Sequence, residues 1–463
     1  MKPYRVLFLM YAPYAAPEMQ IAALSAYLKR MGCEVFYHEV NIFKAPEYAE
    51  IAHEAADAIE RFKPDMVGFS TYDMNYRYNC EAAEHVKQID PKIVTIAGGH
   101  HASVVPMDFM KFPYLDYVCI GEGELVMEEL IGTLSGSAEN PVPIDKIAGL
   151  CSRDEQGEMI QNRARDLLVD LDHLPFIDRD VIDALVPENG ELTMFVGKGC
   201  PHKCTYCAND SMKHLYDNYK EYVRLRSPEN VIEEIHIAAQ RAPLKKISFL
   251  DDIFAMDSKW LVKFCDLYKE NFPGIPFQCL LRPEMVNDKR MTILADAGCS
   301  HITMGVESGA EEYRRKMLKR RMSNNTILRA ASIIKKHQVQ VAIFMMVGFP
   351  EERFADMVRS LWLNFKVGAN GGVQTGIFFP IKGTALYDLC VEKDLIQWDV
   401  YEKMVVYTYN SCLRNTVFRR KLIILFKWLN SAIPIVRNMR VDLVPIFFRQ
   451  MRTILTGRLF RFN

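Results

Sequence analysis

"VGKGCPHKCTYCAND", residues 196–210, puts Cys200, Cys204 and Cys207 in one short loop, among Gly197, Gly199 and Pro201, directly after the apolar run "TMFV". That run is the first of a series. Behind it, apolar runs alternate with helix-period segments: "ENVIEEIHIAAQ", "KKISFLDD", "SKWLVKFCDLYKENF", "PFQCLLRPE", "DKRMTILADAG", "HITMGVESG", "TILRAASIIKKH", "VAIFMMVGFP", "FADMVRSLWLNFK" and "VQTGIFFP". Six β/α units of this kind predict a partial parallel barrel whose site lies at the C-terminal mouth of its strands. The cysteine loop follows the first strand, as a site built on that mouth requires.

Upstream, from Met1 to about Gly136, a second alternation runs through "RVLFLM", "CEVFYHEV", "DMVGFSTY", "KIVTIAGG" and "YVCIGEGE", with helical patterns between them. It predicts a parallel, doubly wound sheet of the flavodoxin-like kind, in which ligands bind at the carboxyl ends of the strands. The informative loops are therefore "YAPYAAPE", "STYDMNY", "GGHHAS" and "GEGE". Polar, proline-bearing stretches over 141–190 read as a linker with a small hairpin. After about Asp388 the rhythm gives way to a mostly helical region. The expected division is 1–140, a linker over 141–190, a barrel over 191–388 and a helical region over 389–463.

At 463 residues, with 49% hydrophobic and 25% charged residues, the composition is that of a soluble globular chain of two or three domains. A net charge of -1 gives no reason to expect nucleic acid. The N-terminal "MKPYRVLFLMYAPYAA" has the outline of a signal peptide, but a helical pattern follows it and the cysteines form no disulfide framework, so it reads as a first strand from Arg5 to Met10. Nine of the twelve cysteines are scattered singly and read as small buried hydrophobes. Only the trio is clustered, which suits a metal site in a reducing cytoplasm.

Structural zinc takes four protein ligands, commonly in two Cys-x2-Cys pairs. Here the spacing is three, then two, with no second pair, and His202 is too close to Cys200 and Cys204 to complete the same tetrahedron. A four-iron cluster held by three thiolates keeps one iron open to a substrate or cofactor, whereas ferredoxin clusters use four cysteines. With Tyr206 beside the last cysteine and a partial barrel following, the pattern resembles the radical S-adenosylmethionine enzymes. In that family the three cysteines hold a 4Fe-4S cluster, and the open iron chelates S-adenosylmethionine, which is reductively cleaved to a 5′-deoxyadenosyl radical.

The resemblance spans about residues 190–385. It implies cofactor contacts at Asp251 and Asp252, where "FLDD" ends the second strand and a helix N-cap is the bland alternative. It implies others at Glu307 and Ser308 in "MGVESG", at Tyr206, and at Gly348 and Glu351 in "FMMVGFPEE", where Phe344 and Met346 replace the family's Gly and Ile. A parallel domain ahead of such a barrel is similar to the subfamily with an N-terminal cobalamin-binding domain. On that likeness Ser70, Thr71, Gly98, Gly99, Gly121 and Glu122 face cobalamin, and His100 and His101 lie beside its nucleotide tail. The Asp-x-His-x-x-Gly motif that supplies histidine to cobalt is absent. A methylthiotransferase domain would carry clustered cysteines, but Cys33, Cys80 and Cys119 fall in separate elements; a nicotinamide site would want Gly-x-Gly-x-x-Gly after the first strand.

The expected function is a cytoplasmic cobalamin-dependent radical enzyme, foremost a methyltransferase acting on an unactivated carbon of a small-molecule or lipid-like substrate. It would be served by a reducing donor such as flavodoxin or ferredoxin. The alternatives are radical oxidation, cyclisation or rearrangement without methyl transfer and, from another class, a zinc-stabilised binding module. The last stretch sets ten basic residues, from Arg419 to Arg461, against Asp442, around apolar clusters such as "LIILF" and "VPIFF". It reads as a packed helical subdomain or as a surface for anionic lipid.

Overall fold

The computed structural model describes residues 2–12, 19–41, 48–181, 190–402 and 410–438. Strand β1 (Arg5–Ala12) is apolar without alternation, and Val6 through Tyr11 are all buried, the pattern of a strand covered on both faces. It pairs in parallel with β2 (Glu34–Asn41) on one side and β3 (Met66–Ser70) on the other, followed outward by β4 (Val94–Gly98) and β5 (Tyr117–Cys119). The order β2-β1-β3-β4-β5 reverses direction between β1 and β3, which opens a crevice at the strands' carboxyl ends. The small hairpin expected within 141–190 exists as β6 (Leu150–Arg153) and β7 (Met159–Gln161), and it extends this sheet antiparallel beyond β5.

The second sheet has six strands, all parallel: β8 (Glu191–Met194), β11 (Lys246–Phe249), β12 (Phe277–Leu281), β13 (Cys299–Glu307), β14 (Gln340–Val347) and β15 (Gly372–Ile377). Two short segments, β9 (Gly197–Lys198) and β10 (Arg224–Leu225), pair antiparallel beside the start of the cysteine loop. Helices between the strands begin where side-chain oxygens accept their free amides: Ser227 caps Pro228–Arg241, Asp257 caps Ser258–Asn271 and Ser323 caps Asn324–Lys336. Phe249, Phe254, Phe264, Tyr268 and Phe277 interlock with ring centroids 4.9–6.2 Å apart and fill one end of the barrel core.

Of the nine lone cysteines, all but half-buried Cys33 are buried, as packing residues should be. The helix Val417–Asn438 lays Ile423 and Phe426 against Val347, Met357, Leu361 and Ile377, and Asn364 donates to Asn430 across that contact. Its other side leaves Phe418 71% and Trp428 64% exposed. The stretch 439–463, with Arg440, Arg449, Arg452, Arg458 and Arg461, and most of the loop after β1, 13–18, lie outside the described residues. Among the described residues no helix is long and apolar enough to cross a membrane.

Candidate active site between two parallel sheets

Behind β8 the chain turns at Gly199 (φ 87), where a Cβ would stand 2.1 Å from the carbonyl oxygen of Tyr222, so a glycine is required to start the cysteine loop. Cys204 is buried, and Cys200 and Cys207 are half-buried. Burial pushes the Cys207 thiol up to about 12 and raises that of Cys200, and the neighbouring thiols add to both shifts. The Cys207 amide donates to the Cys204 carbonyl at 3.1 Å, folding the loop back on itself. Two guanidiniums reach Cys204 Sγ: Arg282 Nη1 at 3.8 Å and Arg320 Nη1 at 3.7 Å. The Asn209 amide group lies 3.9 Å from Cys207 Sγ and 2.9 Å from Asp252 Oδ2, and Tyr222 donates to Asn209 Oδ1 at 3.1 Å.

The donor set, three cysteines of one loop, offers three thiols and no fourth cysteine beside them, whereas structural zinc takes four protein ligands. A four-iron cluster can be held by three, because each thiolate binds a different iron. Metal binding would also displace the protons that burial holds on Cys200 and Cys207 and release them to solvent.

The remaining barrel candidates divide. Both oxygens of Asp251 accept the Val196 amide, at 3.0 and 3.1 Å, and Oδ1 also accepts that of Gly197 at 2.8 Å, so this carboxylate ties the end of β11 to the end of β8. Asp252 is the one beside the cysteine loop. Glu307, at φ 69 in a region costly for a non-glycine residue, ends β13 with Oε1 4.0 Å from Arg320 Nη1. Tyr206 places its hydroxyl 3.3 Å from the same nitrogen. Ser308 is fully buried 3.5 Å from Ser360 of the helix Phe354–Val367, so its hydroxyl is engaged within the packed shell. The Gly348 amide donates to Glu352 at 2.7 Å, while Glu351 is exposed and paired with Lys393. Of the two adjacent glutamates, Glu352 is therefore the buried one, its carboxyl pushed up to about 8 by burial.

A cavity of about 580 Å³ opens between the two sheets. Ser70, Gly98, Gly99, His100, Gly121 and Glu122 line it from the first domain, and Gly197, Lys198, Gly199, Asp251 and Asp252 from the barrel. Gly99 (φ 99) lets the chain pass Thr71, whose backbone N and O would lie 2.9 Å from a Cβ there. Thr71 does not line the cavity; its hydroxyl donates to the Gly98 carbonyl at 2.7 Å and accepts the Ala102 amide, joining β3 to β4. The two histidines part company. His100 lines the cavity with a buried, unpartnered Nε2, the kind of atom that a polar ligand satisfies. His101 packs within the domain on Tyr76 and Phe109, 3.3 Å from Asp108.

Sequence reasoning did not single out Arg282, Arg320, Lys198 or Arg224. Each follows an apolar run or lies in a basic cluster ("LLRPE", "KRR", "VGKG", "YVRL"); a charge just past a barrel strand was the available signal for Arg282 and Lys198, whereas Arg320, between two helices, and Arg224, in β10, carried none. Lys198 pairs with Glu124 at 2.9 Å and Arg224 with Glu122 at 2.5 Å, both across the domain boundary.

A flavodoxin-like domain whose strand ends share a cavity with a parallel half-barrel bearing a three-cysteine loop defines a two-domain cofactor enzyme. Residues 194–361 match the family model of the radical SAM superfamily, and residues 7–131 that of the B12 binding domain. The chain belongs to the radical SAM superfamily, in the group that carries an N-terminal B12-binding domain. It is 25% identical over 375 residues to the uncharacterized methyltransferase PH0819 of Pyrococcus horikoshii, covering 80% of this chain and 78% of that one. It is 22% identical to the anaerobic magnesium-protoporphyrin IX monomethyl ester cyclase of Rubrivivax gelatinosus, over 73% of this chain and 60% of the relative. Its fold is similar to that of the radical S-adenosylmethionine methyltransferase TsrM from Kitasatospora setae, with a TM-score of 0.65 at 14% identity over 84% of this chain and 76% of that one. The cofactors that accompany the two domains are a 4Fe-4S cluster with S-adenosylmethionine, and cobalamin.

Proposed function

We propose that this radical SAM enzyme is a methyltransferase acting on an unactivated carbon of a small-molecule or lipid-like substrate. The observation that carries the reading is the shared cavity, walled by Gly98, Gly99 and Gly121 of one sheet and by Gly197, Gly199 and Asp252 of the other. In this reading residues 1–140 hold cobalamin, 191–388 form the barrel, and Cys200, Cys204 and Cys207 ligate the cluster. The bound cofactors supply a one-electron radical source and a methyl donor.

The chain's own residues account for the rest. Asp252 and Asn209 offer polar contacts beside Cys207, and Glu307 and Tyr206 offer them beside Cys204. Phe8, Ile96, Phe176 and Leu250 wall the cavity with apolar surface that keeps water from a reactive centre. Lys198 and Arg224 hold Glu122 and Glu124, keeping the two walls in register. The electron comes from a donor such as flavodoxin or ferredoxin in the cytoplasm. The basic helix Val417–Asn438, with Phe418 and Trp428 exposed beside Arg420, Lys421 and Lys427, supports peripheral contact with anionic lipid.

A second reading, radical cyclisation or oxidation without methyl transfer, is favoured by the likeness to the Rubrivivax gelatinosus cyclase. Anaerobic turnover of candidate substrates with S-adenosylmethionine bearing a deuterated methyl group separates the two. A product carrying the label is expected; an oxidised or ring-closed product without it would overturn the methyltransferase reading.

A further inference from the structure

Two buried guanidiniums converge on one thiol of the three. Arg282, just past β12, is 8% exposed, and Arg320, between the helices Glu311–Lys316 and Asn324–Lys336, is 6% exposed. Their Nη1 atoms lie 3.8 and 3.7 Å from Cys204 Sγ. The other two thiols are served by neutral donors, the His202 amide at Cys200 and the Asn209 amide and side chain at Cys207. Nor are the guanidiniums held by sulfur alone. Arg282 Nη2 donates to Glu284 at 2.8 Å, and Arg320 donates to the Gly305 carbonyl and sits 3.3 Å from the Tyr206 hydroxyl.

We propose that Arg282 and Arg320 set the reduction potential of the cluster through Cys204, making it easier to reduce than the same cluster without them. The inference rests on the reading that the cysteine trio holds a 4Fe-4S cluster. With three thiolates, one-electron reduction takes such a cluster from a single to a double net negative charge, so nearby positive charge in a low dielectric favours the reduced state. One electron arrives from a low-potential donor, no covalent bond forms or breaks, and no proton moves. Each arginine also has a carboxylate neighbour, but the Glu284 side chain is 37% exposed and its charge is screened by water. Glu307 lies farther from Arg320, at 4.0 Å, than the sulfur does.

The test uses full-length protein with reconstituted cluster and no S-adenosylmethionine, so that contacts to that cofactor play no part. Iron and sulfide are counted first, and the potential is then read by electron paramagnetic resonance in a dithionite titration with viologen mediators. Arg282→Gln and Arg320→Gln are expected to keep wild-type cluster content and to be about tenfold harder to reduce, about 59 mV lower for one electron. Arg282→Met and Arg320→Met also remove the charge and carry the test if the Gln variants fail to fold, whereas Arg282→Lys and Arg320→Lys retain the charge and should shift less. A full cluster with an unmoved potential in the charge-removing variants overturns the proposal, as does a Lys shift equal to theirs, which would assign the effect to packing. Wild-type protein without iron would refute the cysteine reading itself and the proposal with it.

Discussion

Glu122 and Arg224 bind the two domains through a two-pronged ion pair, with Nη2 2.5 Å from Oε1 and Nη1 3.1 Å from Oε2. Arg224 is 5% exposed and also donates to the Leu168 carbonyl at 2.8 Å. Removing one partner of a buried pair strands the other, a loss of about 3–5 kcal/mol. Lys198 remains 3.6 Å from Glu122, which puts the expected loss for Arg224→Leu near the lower end. A lower urea midpoint is the expected measurement, and an unchanged one would show that the pair does not join the domains.

Replacing any one cysteine of the trio by alanine should abolish cluster assembly, because each of three irons needs its thiolate. Iron and sulfide content after anaerobic reconstitution measures this. Cys265→Ala, in the aromatic core beside Phe264, should cost about 1 kcal/mol of stability and leave iron content unchanged. Full iron in Cys204→Ala would remove that residue from the ligand set.

Asp251 gives the stability a pH dependence of definite sign. Burial pushes its carboxyl up to about 7, although the amides of Val196 and Gly197 pull the other way. A carboxyl raised on folding favours the folded state most below its unfolded value, about 3.9, and the contribution is lost as pH rises through about 7. The unfolding free energy of wild type minus that of Asp251→Asn should therefore fall by roughly 4 kcal/mol between those limits, at 1.36 kcal/mol per pKa unit. Urea titrations giving parallel curves from pH 4 to pH 8 would contradict this.

The helix Val417–Asn438 packs one face on the barrel and exposes Phe418, Leu425 and Trp428 next to basic residues. Attraction to an anionic surface is about 1 kcal/mol per basic residue. The protein should float with anionic vesicles at low salt, less at high salt, and not with neutral vesicles. Phe418→Ser with Trp428→Ser should weaken the anionic binding. No flotation with anionic vesicles at low salt would reduce the helix to a packed subdomain.

Much of the architecture was readable because it is written locally. A short apolar run such as "RVLFLM", followed at once by a helical pattern, reads as an interior strand, and alternation with helix periods favours parallel pairing, so both sheets and their order of appearance followed from windows of a dozen residues. The cysteine spacing is local in the same sense. The roles of single polar residues were less legible. Asp251 and Asp252 are adjacent in sequence, yet one is consumed by the amides of β8 and its loop while the other borders the cysteine loop. Ser308 looks like a mouth residue in "VESG", but its hydroxyl is engaged within the packed shell with Ser360.

The sequence by itself determined that a three-cysteine loop follows the first strand of a parallel half-barrel and that a flavodoxin-like domain precedes it. Only the tertiary structure decided which charges surround that loop. Arg320 reaches Cys204 from 116 residues away, Arg282 from 78, and Arg224 reaches Glu122 across 102. The physical reason is the crossover connection: each helix returns the chain to the same end of the sheet, so strand ends distant in sequence meet at one mouth. A short-range pattern fixes which residues end strands, and the packing of the two sheets against each other fixes which of those ends touch.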